Sequence, residues 1–328
     1  MKLFIAVYIV ITKRLRYNMK SLTFILICLM STVCLAAENT LIRLIVPWPA
    51  GSTIDLTARY LQPSLEKSLN SRVLVENRPG ANGQVAVEYS LQSRDSTIFI
   101  LDQMNQYLNP LLQPKLNYDP NRDLLPLALV SELNFVLVVN PRVPAKNLQE
   151  LIALARARPG GLTFAHTGEG SGTYMALKIL KHLTKTEIYE VGYKGGPQTM
   201  IDVVNGNVDG VIHNLGLALP MIQSGKVRAL AKFYTTPSNE LTDKLESAES
   251  LVPGLRSSVS IVLFAVKNTN PDLVQQVRSA ANQIISNSEF QHSLRSIGNT
   301  PGTPLTSAQL EKQIEDTKGL WFKSLKVR

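Results

Sequence analysis

The stretch LIRLIVPWPAGSTIDLTAR, residues 41–59, shows most clearly how this chain is built. Its first six residues, Leu41 to Val46, are apolar apart from Arg43, which predicts a strand buried on both faces. A turn containing proline and glycine follows, and from Asp55 to Leu69 apolar residues recur with the period of a helix. The stretch therefore predicts a strand–loop–helix unit, with the loop at the carboxyl end of the strand and at the start of the helix.

The same alternation of strand and helix continues through most of the chain. Further strands are predicted at residues 72–75, 96–101, 135–139, 162–165, 188–191, 208–212, 227–232 and 259–266. Repeated strand–helix units with short connections are typical of mainly parallel sheets flanked by helices. About nine strands are more than one small sheet usually holds. We therefore predict an α/β protein of two lobes, residues 38–134 with 256–328 and residues 135–255, with a ligand cleft between them.

The N-terminal region up to Ala37 is interpreted as a secretory signal peptide. It contains no acidic residue and five basic ones, and an apolar run from Leu22 to Leu35 leads to the small pair Ala36-Ala37. A basic region, a short apolar run and a small-residue cleavage site are typical of such signals. We expect cleavage near Ala36 or Ala37 and export to the periplasm. An uncleaved anchor is the alternative, and translation starts at either Met1 or Met19.

Composition excludes several functional classes. The net charge of +9 falls to +4 without the five bases of the signal region, and no Lys/Arg run is interleaved with aromatic residues. Nucleic acid is therefore not an expected partner, whereas a modest preference for anionic ligands is expected. Both cysteines, Cys28 and Cys34, lie in the signal region, so the mature chain offers no thiolate. The four histidines lack metal-site spacing and no phosphate-loop motif is present, so we expect neither metal nor cofactor.

Two loops share a construction that suits an anionic ligand. The first is PWPAGST at residues 47–53 and the second is TGEGSGT at residues 167–173; each precedes a predicted helix. At a helix N-terminus the first backbone N–H groups lack intrahelical partners and the helix dipole is positive. Such a turn binds carboxylate or phosphate without a charged side chain. If each lobe supplies one loop, the two hold a ligand between them. The alternative is that their residues serve only as caps and turns.

Two further positions are candidates. Tyr193 and Lys194 precede another predicted helix, and Asp209 lies in the strand predicted at residues 208–212, with His213-Asn214 at its carboxyl end. Ligands of open α/β sheets bind at the carboxyl ends of strands. For Asp209, a ligand contact and a purely structural hydrogen bond remain equal alternatives.

An exported hydrolase is the enzymatic alternative. It requires a nucleophile, a base and an oxyanion site within mutual reach, and only the last is indicated. The G-x-S-x-G nucleophile motif is incomplete around Ser171, because Glu169 stands where the first glycine is required. We therefore expect that the protein is not an enzyme.

Several motifs together resemble the Bug family, the periplasmic receptors of tripartite tricarboxylate transporters. Residues 41–59 are similar to the family's strand, its P-F-P-A-G-G turn and the Asp and Ala-Arg that follow. VLVENRPGANG at residues 73–83 is similar to the V-V-E-N-R-P-G-A-G-G motif. GNVD at residues 206–209 and LPMIQSGKVRALA at residues 219–231 also match. The resemblance covers essentially the whole mature chain and weakens after Lys232.

This resemblance implies a two-lobed periplasmic binding protein fold, type II-like, that closes on its ligand and docks on a membrane permease. It also implies that backbone amides of the two loops hold a ligand carboxylate. The expected ligand-binding residues are Trp48, Ala50, Gly51, Ser52, Asp55, Thr167, Gly168, Glu169, Gly170, Thr173 and Asp209. We expect a monomer that delivers a small carboxylate to a transporter. A ligand sensor that signals to a membrane partner is the first alternative.

Three departures from the family pattern leave the ligand's identity open. Trp48 replaces the usual phenylalanine, and Ser52 replaces the second glycine of the first loop. Glu169 places an acid inside the second loop, where it repels a bare carboxylate by about a kcal/mol or more at close range. A ligand that carries an amine as well as a carboxylate would instead be attracted.

Overall fold

The structure is a computed structural model that describes residues 40–107, 109–112, 116–235, 240–255 and 258–325. The predicted signal peptide lies outside these residues. Within them, no helix has both the length and the apolar character needed to cross a membrane.

Strands and helices alternate as the sequence predicts. The strands are β1 (Leu41–Val46), β2 (Arg72–Asn77), β3 (Ile98–Gln103), β4 (Leu124–Val139), β5 (Thr163–His166), β6 (Tyr189–Gly192), β7 (Gly210–Asn214), β8 (Arg228–Lys232), β9 (Ser258–Val266) and β10 (Asn299–Pro301). The α-helices are α1 (Thr53–Leu69), α2 (Gln84–Gln92), α3 (Asn109–Leu112), α4 (Pro120–Asp123), α5 (Leu148–Ala157), α6 (Gly172–Thr184), α7 (Gly196–Asn205), α8 (Leu215–Gln223), α9 (Glu240–Asp243), α10 (Ala248–Leu251), α11 (Pro271–Ile285), α12 (Ser288–Ser296) and α13 (Ser307–Leu325). The mixed α/β class is therefore confirmed.

The strands form one sheet in the order β2-β1-β3-β9-β4-β7-β5-β6, and β8 and β10 also pair with β4. We call β1, β2, β3, β9, β10 and residues 124–134 of β4 sheet A, and β5, β6, β7, β8 and residues 135–139 of β4 sheet B. The outer pairs β1–β2, β1–β3, β5–β6 and β5–β7 are parallel. The predicted division into two lobes remains a prediction.

The central strand β4 is longer than the sequence predicts. Only residues 135–139 read as an apolar strand, yet β4 begins at Leu124 and is antiparallel to β9 over its first part. Pro126, Ser131 and Glu132 interrupt its apolar pattern, and the pairing shifts register next to Pro126 and again next to Ser131. A proline cannot donate to a ladder, so it is tolerated where the register is irregular.

Apolar burial fixes α1 against sheet A. Ala58 and Leu61 are fully buried and Leu65 nearly so, and β1 contributes Leu44 and Ile45 to the same core. Each large apolar side chain buried in this way stabilises the fold by about 1.5–3 kcal/mol. The N-terminus of α1 is therefore held rigidly at the carboxyl end of β1, where the first predicted loop begins.

Candidate functional site

The loops that follow parallel strands of sheet A and sheet B surround one cleft of about 570 Å³. Its walls are residues 47–49 after β1, 79–82 after β2, 167–169 after β5 and 193–194 after β6. All four loops leave the carboxyl ends of parallel strands, the place where open α/β sheets bind ligands.

A smaller cavity of about 30 Å³, which we call the deep cavity, shares Trp48 and Thr167 with the cleft. Four helices begin at this cavity, because it is lined by residues 53–54 of α1, 172–173 of α6, Gly196 of α7, and Leu217 of α8 with its cap Asn214. First-turn N–H groups have no carbonyl of their own helix to bind, and the dipoles make each helix start positive. The deep cavity therefore combines the positive ends of four helices, α1 beside sheet A and α6, α7 and α8 beside sheet B.

The first loop is held in shape by its own capping residues. The Ser52 hydroxyl caps α1 by accepting a hydrogen bond from the Asp55 N–H at 3.2 Å. The Asp55 carboxylate is buried and accepts from the Gly51 N–H, from Arg59 and from Asn77, each at 2.9 Å. These bonds hold the pKa of Asp55 below its usual value. Asp55 therefore stabilises the loop through buried hydrogen bonds, and its carboxylate points towards the protein interior.

The second loop is built in a parallel way. The Ser171 hydroxyl accepts from the Tyr174 N–H at 3.2 Å, which caps α6, and donates to the carbonyl of Gly168 at 2.7 Å. The Thr173 hydroxyl lies 2.9 Å from that of Thr167 and accepts from the Thr167 N–H, also at 2.9 Å. Gly168 and Gly170 have φ of +115° and +79°, which side chains disfavour. The glycines and hydroxyls therefore define the shape of this loop.

A buried histidine supports the second loop from below. His166 ends β5, and its Nδ1 accepts a hydrogen bond from the Gly168 N–H at 3.2 Å. Burial lowers the pKa of His166, so the imidazole is neutral at pH 7 and accepts this bond. Tyr174 packs against it with ring centroids 5.0 Å apart.

Trp48 connects the first wall of the cleft to the loop after β2 through buried polar groups. Its Nε1 donates to Asp102 at 2.7 Å, and the amide of Gln106 donates to the same carboxylate. Gln106 also donates to the carbonyl of Asn82 at 3.1 Å and accepts from Tyr118 at 2.7 Å. Burial raises the pKa of Asp102 to about 7. The carboxyl group of Asp102 therefore supports two walls of the cleft, Trp48 directly and the loop after β2 through Gln106.

The expected ligand-binding residues divide into two groups. Those that line the cleft or the deep cavity are Trp48, Ser52, Thr167, Gly168, Glu169 and Thr173. Those that line neither are Ala50, Gly51, Asp55, Gly170 and Asp209. The carboxylate of Asp209 accepts from the N–H and hydroxyl of Thr163, at 2.7 and 2.9 Å, so it joins the start of β5 to the residue before β7. This arrangement is the structural alternative considered for Asp209.

Other lining residues have little or no signal in the sequence. Gln103 ends β3, and Gly196 begins α7 beside His213. Strands β3 and β7 end at one cavity because of the strand order, and local sequence patterns do not reveal that order. The glycine-rich turn at residues 79–83 is visible as a motif, but its place in the cleft wall is not.

The cleft mouth carries charges of both signs. Glu169 and Lys194 are exposed and line it from different loops. Among the described residues, no group of three or more His, Cys, Asp or Glu side chains is arranged to hold a metal ion. The site is therefore equipped to bind through backbone N–H groups, hydroxyls and apolar surface.

Comparison with known proteins identifies relatives of this chain. The family described as the tripartite tricarboxylate transporter family receptor matches residues 57–325. Protein BugT of Bordetella pertussis is 30% identical over 79% of this chain and 81% of BugT. The structure of R. palustris Rpa4515 with adipate has a TM-score of 0.80 at 24% identity, covering 89% of this chain and 98% of Rpa4515. The structure of the periplasmic binding protein BugD has a TM-score of 0.79 at 21% identity, covering 86% of this chain and 95% of BugD.

The structural matches confirm the periplasmic binding protein fold expected from the sequence. The family match spans most of the chain and confirms the resemblance to the Bug receptors, which rested on short motifs. The chain therefore belongs to the tripartite tricarboxylate transporter receptor family.

Proposed function

We propose that this protein is an extracytoplasmic receptor that captures a small carboxylate-bearing metabolite and delivers it to the permease of a tripartite transporter. It acts as a monomer, after removal of a signal peptide near Ala36 or Ala37. Binding involves no covalent chemistry, metal or cofactor. The family match supports the role of receptor, and the geometry of the site supports a carboxylate as its ligand.

The observation that carries the proposal is the meeting of helix N-termini at the deep cavity. Thr53 begins α1 beside sheet A, and Gly172 begins α6 beside sheet B. Their first-turn N–H groups bind a carboxylate oxygen without a basic side chain. In support, the relative Rpa4515 holds adipate, a dicarboxylate.

The wider cleft suits the body of the ligand. Pro47, Trp48, Pro49 and Ala81 give it apolar walls, and Tyr193 adds a second aromatic ring. Ligand pockets typically pair a mostly apolar lining with a few well-placed polar groups. We propose that the carboxylate points towards the deep cavity and the rest of the molecule lies against these apolar walls.

The strand order supports closure of the protein around its ligand. Sheet A and sheet B are joined through β4, whose pairing changes from β9 to β7 and β8 between Asn134 and Phe135. We propose that these parts are the two predicted lobes and that the ligand draws them together. A ligand shifts such an equilibrium only through contacts made better in the closed state, and loops from both lobes supply them.

The test is calorimetric titration of the purified protein with mono-, di- and tricarboxylates, each paired with its methyl ester. We expect at least one acid to bind and its ester to bind about 10- to 100-fold more weakly, because charge-assisted hydrogen bonds are lost. Equal affinity for acid and ester would contradict a carboxylate site. Turnover of the esters would favour the hydrolase alternative.

A further inference from the structure

Two buried side chains that line the deep cavity each have one polar atom without a hydrogen-bond partner among the described residues. Gln103 is 7% exposed and His213 is 1% exposed, and both line the cavity. The atoms concerned are Gln103 Oε1 and His213 Nε2. Native proteins satisfy nearly all buried polar groups, so two such atoms at one cavity indicate that something there binds them.

Both atoms are acceptors. His213 Nδ1 lies 2.7 Å from Asn214 Oδ1; an amide oxygen accepts, so we assign the tautomer in which Nδ1 donates to it and Nε2 presents a lone pair. Burial lowers the pKa of His213 to about 4, which keeps the imidazole neutral at physiological pH. Gln103 Oε1 is a carbonyl oxygen and likewise accepts. The deep cavity therefore requires hydrogen-bond donors from its occupant.

The same cavity also offers donors, because α1, α6 and α7 begin there. Helix N-termini favour a negative group and disfavour an ammonium. A second carboxylate beside the two acceptors would place oxygen lone pairs against lone pairs. The group that suits both sides is a hydroxyl close to a carboxylate, with the carboxylate on the N–H groups and the O–H donated to an acceptor.

The size of the cavity fits this chemistry. Its volume is about 30 Å³, whereas a water-sized group needs roughly 10–15 Å³ on the same kind of measure. There is room for about two such groups, which suits one hydroxyl together with one carboxylate oxygen.

We infer that Gln103 and His213 are specificity-determining residues that accept hydrogen bonds from ligand hydroxyls, so that the receptor prefers hydroxycarboxylates to plain carboxylates. The inference rests on the proposed function and narrows its ligand class.

The test uses succinate, malate and tartrate, which share one carbon skeleton and carry zero, one and two hydroxyls, together with glutarate and 2-hydroxyglutarate. Titration calorimetry of the full protein should show about 3- to 10-fold tighter binding for each hydroxyl that meets an acceptor. Both enantiomers of each chiral acid are measured, because only one need place its hydroxyl towards the cavity.

Three variants assign the effect. Gln103→Met keeps the length of the side chain but removes the acceptor, and His213→Phe removes the imidazole. Each should reduce the ratio of hydroxy-acid affinity to succinate affinity by about 3- to 10-fold, whatever it does to the affinity for succinate itself. Gln198→Met, on the exposed surface of α7, is the control and should change neither. Thermal unfolding checks each variant, and Gln103→Met alone suffices if His213→Phe does not fold.

The outcomes separate the two claims. Plain acids that bind as tightly as hydroxy acids would overturn the inference and assign the deep cavity to structural water, while the carboxylate receptor stands. A hydroxyl advantage that persists in both Gln103→Met and His213→Phe would overturn it as well. Failure of every acid to bind would contradict the proposed function itself, and the inference with it.

Discussion

Asp102 is the residue whose ionisation is tied most closely to the cleft. It is fully buried, and Trp48, the amide of Gln106 and the backbone of Gln103 all donate towards it. These donors favour the charged form, but burial outweighs them and raises the pKa to about 7. The wall formed by Trp48 is therefore held by a group that titrates near neutral pH.

A pH-dependent stability follows from this pKa. The carboxyl group of an unfolded chain has a pKa near 3.9, so the folded state binds the proton more tightly and its stability falls as pH rises from about 4 to 7. Asp102→Asn removes this contribution. We measure the free energy of unfolding of wild type and variant in urea at pH 5 and pH 8. The value for wild type minus that for the variant should be lower at pH 8 than at pH 5 by on the order of a few kcal/mol. An identical difference at both pH values would show that Asp102 does not titrate in this range.

Glu169 influences the affinity of the cleft for a ligand that carries a second negative charge. Its side chain is exposed and lines the cleft. Glu169→Gln should strengthen binding of a dicarboxylate by about 2- to 5-fold, with the gain shrinking at high salt. For a ligand that carries an amine, the same change should weaken binding.

The control for this prediction is Glu187→Gln, an exposed glutamate that lines neither cavity. It removes the same charge at another place. Equal effects of the two substitutions would mean that only the net charge of the protein matters.

At the scale of elements, the loop between β1 and α1 depends on one glycine. Gly51 has φ of +79°, and a Cβ there would meet no atom within 4 Å. Gly51→Ala therefore costs only backbone strain, about 1–2 kcal/mol. Because its N–H donates to Asp55, the strain acts on the loop that presents Ser52 and Thr53. We expect calorimetry to show about 10-fold weaker ligand binding as well as lower stability.

Gly225→Ala provides the matched control. Gly225 has φ of +69° and equally open surroundings, but it follows α8 and lines neither cavity. It should lose similar stability in urea unfolding while binding ligand normally. Equal loss of binding in both variants would attribute the effect at Gly51 to general destabilisation.

Elements are predictable from the sequence where local patterns determine them. The strands near residues 41–46 and 259–266 are continuous apolar runs, and the loop–helix junctions carry Ser, Thr and Gly in capping positions. The first part of β4 gives no such pattern, because Pro126 and Glu132 interrupt it and its pairing to β9 joins distant parts of the chain. Strand β10, only three residues long, gives no periodic signal.

Residues of the site are likewise predictable only where a local sequence pattern marks them. The local sequence marks both loops rich in glycine and hydroxyl side chains, and Trp48, Thr167 and Glu169 do line the cleft. Gln103 and His213 meet at one cavity only because β3 and β7 end at the same place in the folded sheet. Contacts of this kind depend on strand order, which a single sequence does not reveal.

At the scale of the whole molecule, one continuous strand, β4, connects two parts of the sheet that each contribute helix N-termini to a common site. The β1–α1 unit, residues 41–69, and the β5–α6 unit, residues 163–184, are far apart in the sequence. We propose that ligand capture is the event that brings these two units into contact with the same molecule.

The most direct test is a crystal structure of the protein with the carboxylate that binds most tightly in calorimetry. We predict a carboxylate oxygen within about 2.7–3.1 Å of first-turn N–H groups of both α1 and α6, with the body of the ligand against Trp48. A ligand held by lysine or arginine side chains, or by one loop alone, would contradict this mode of binding.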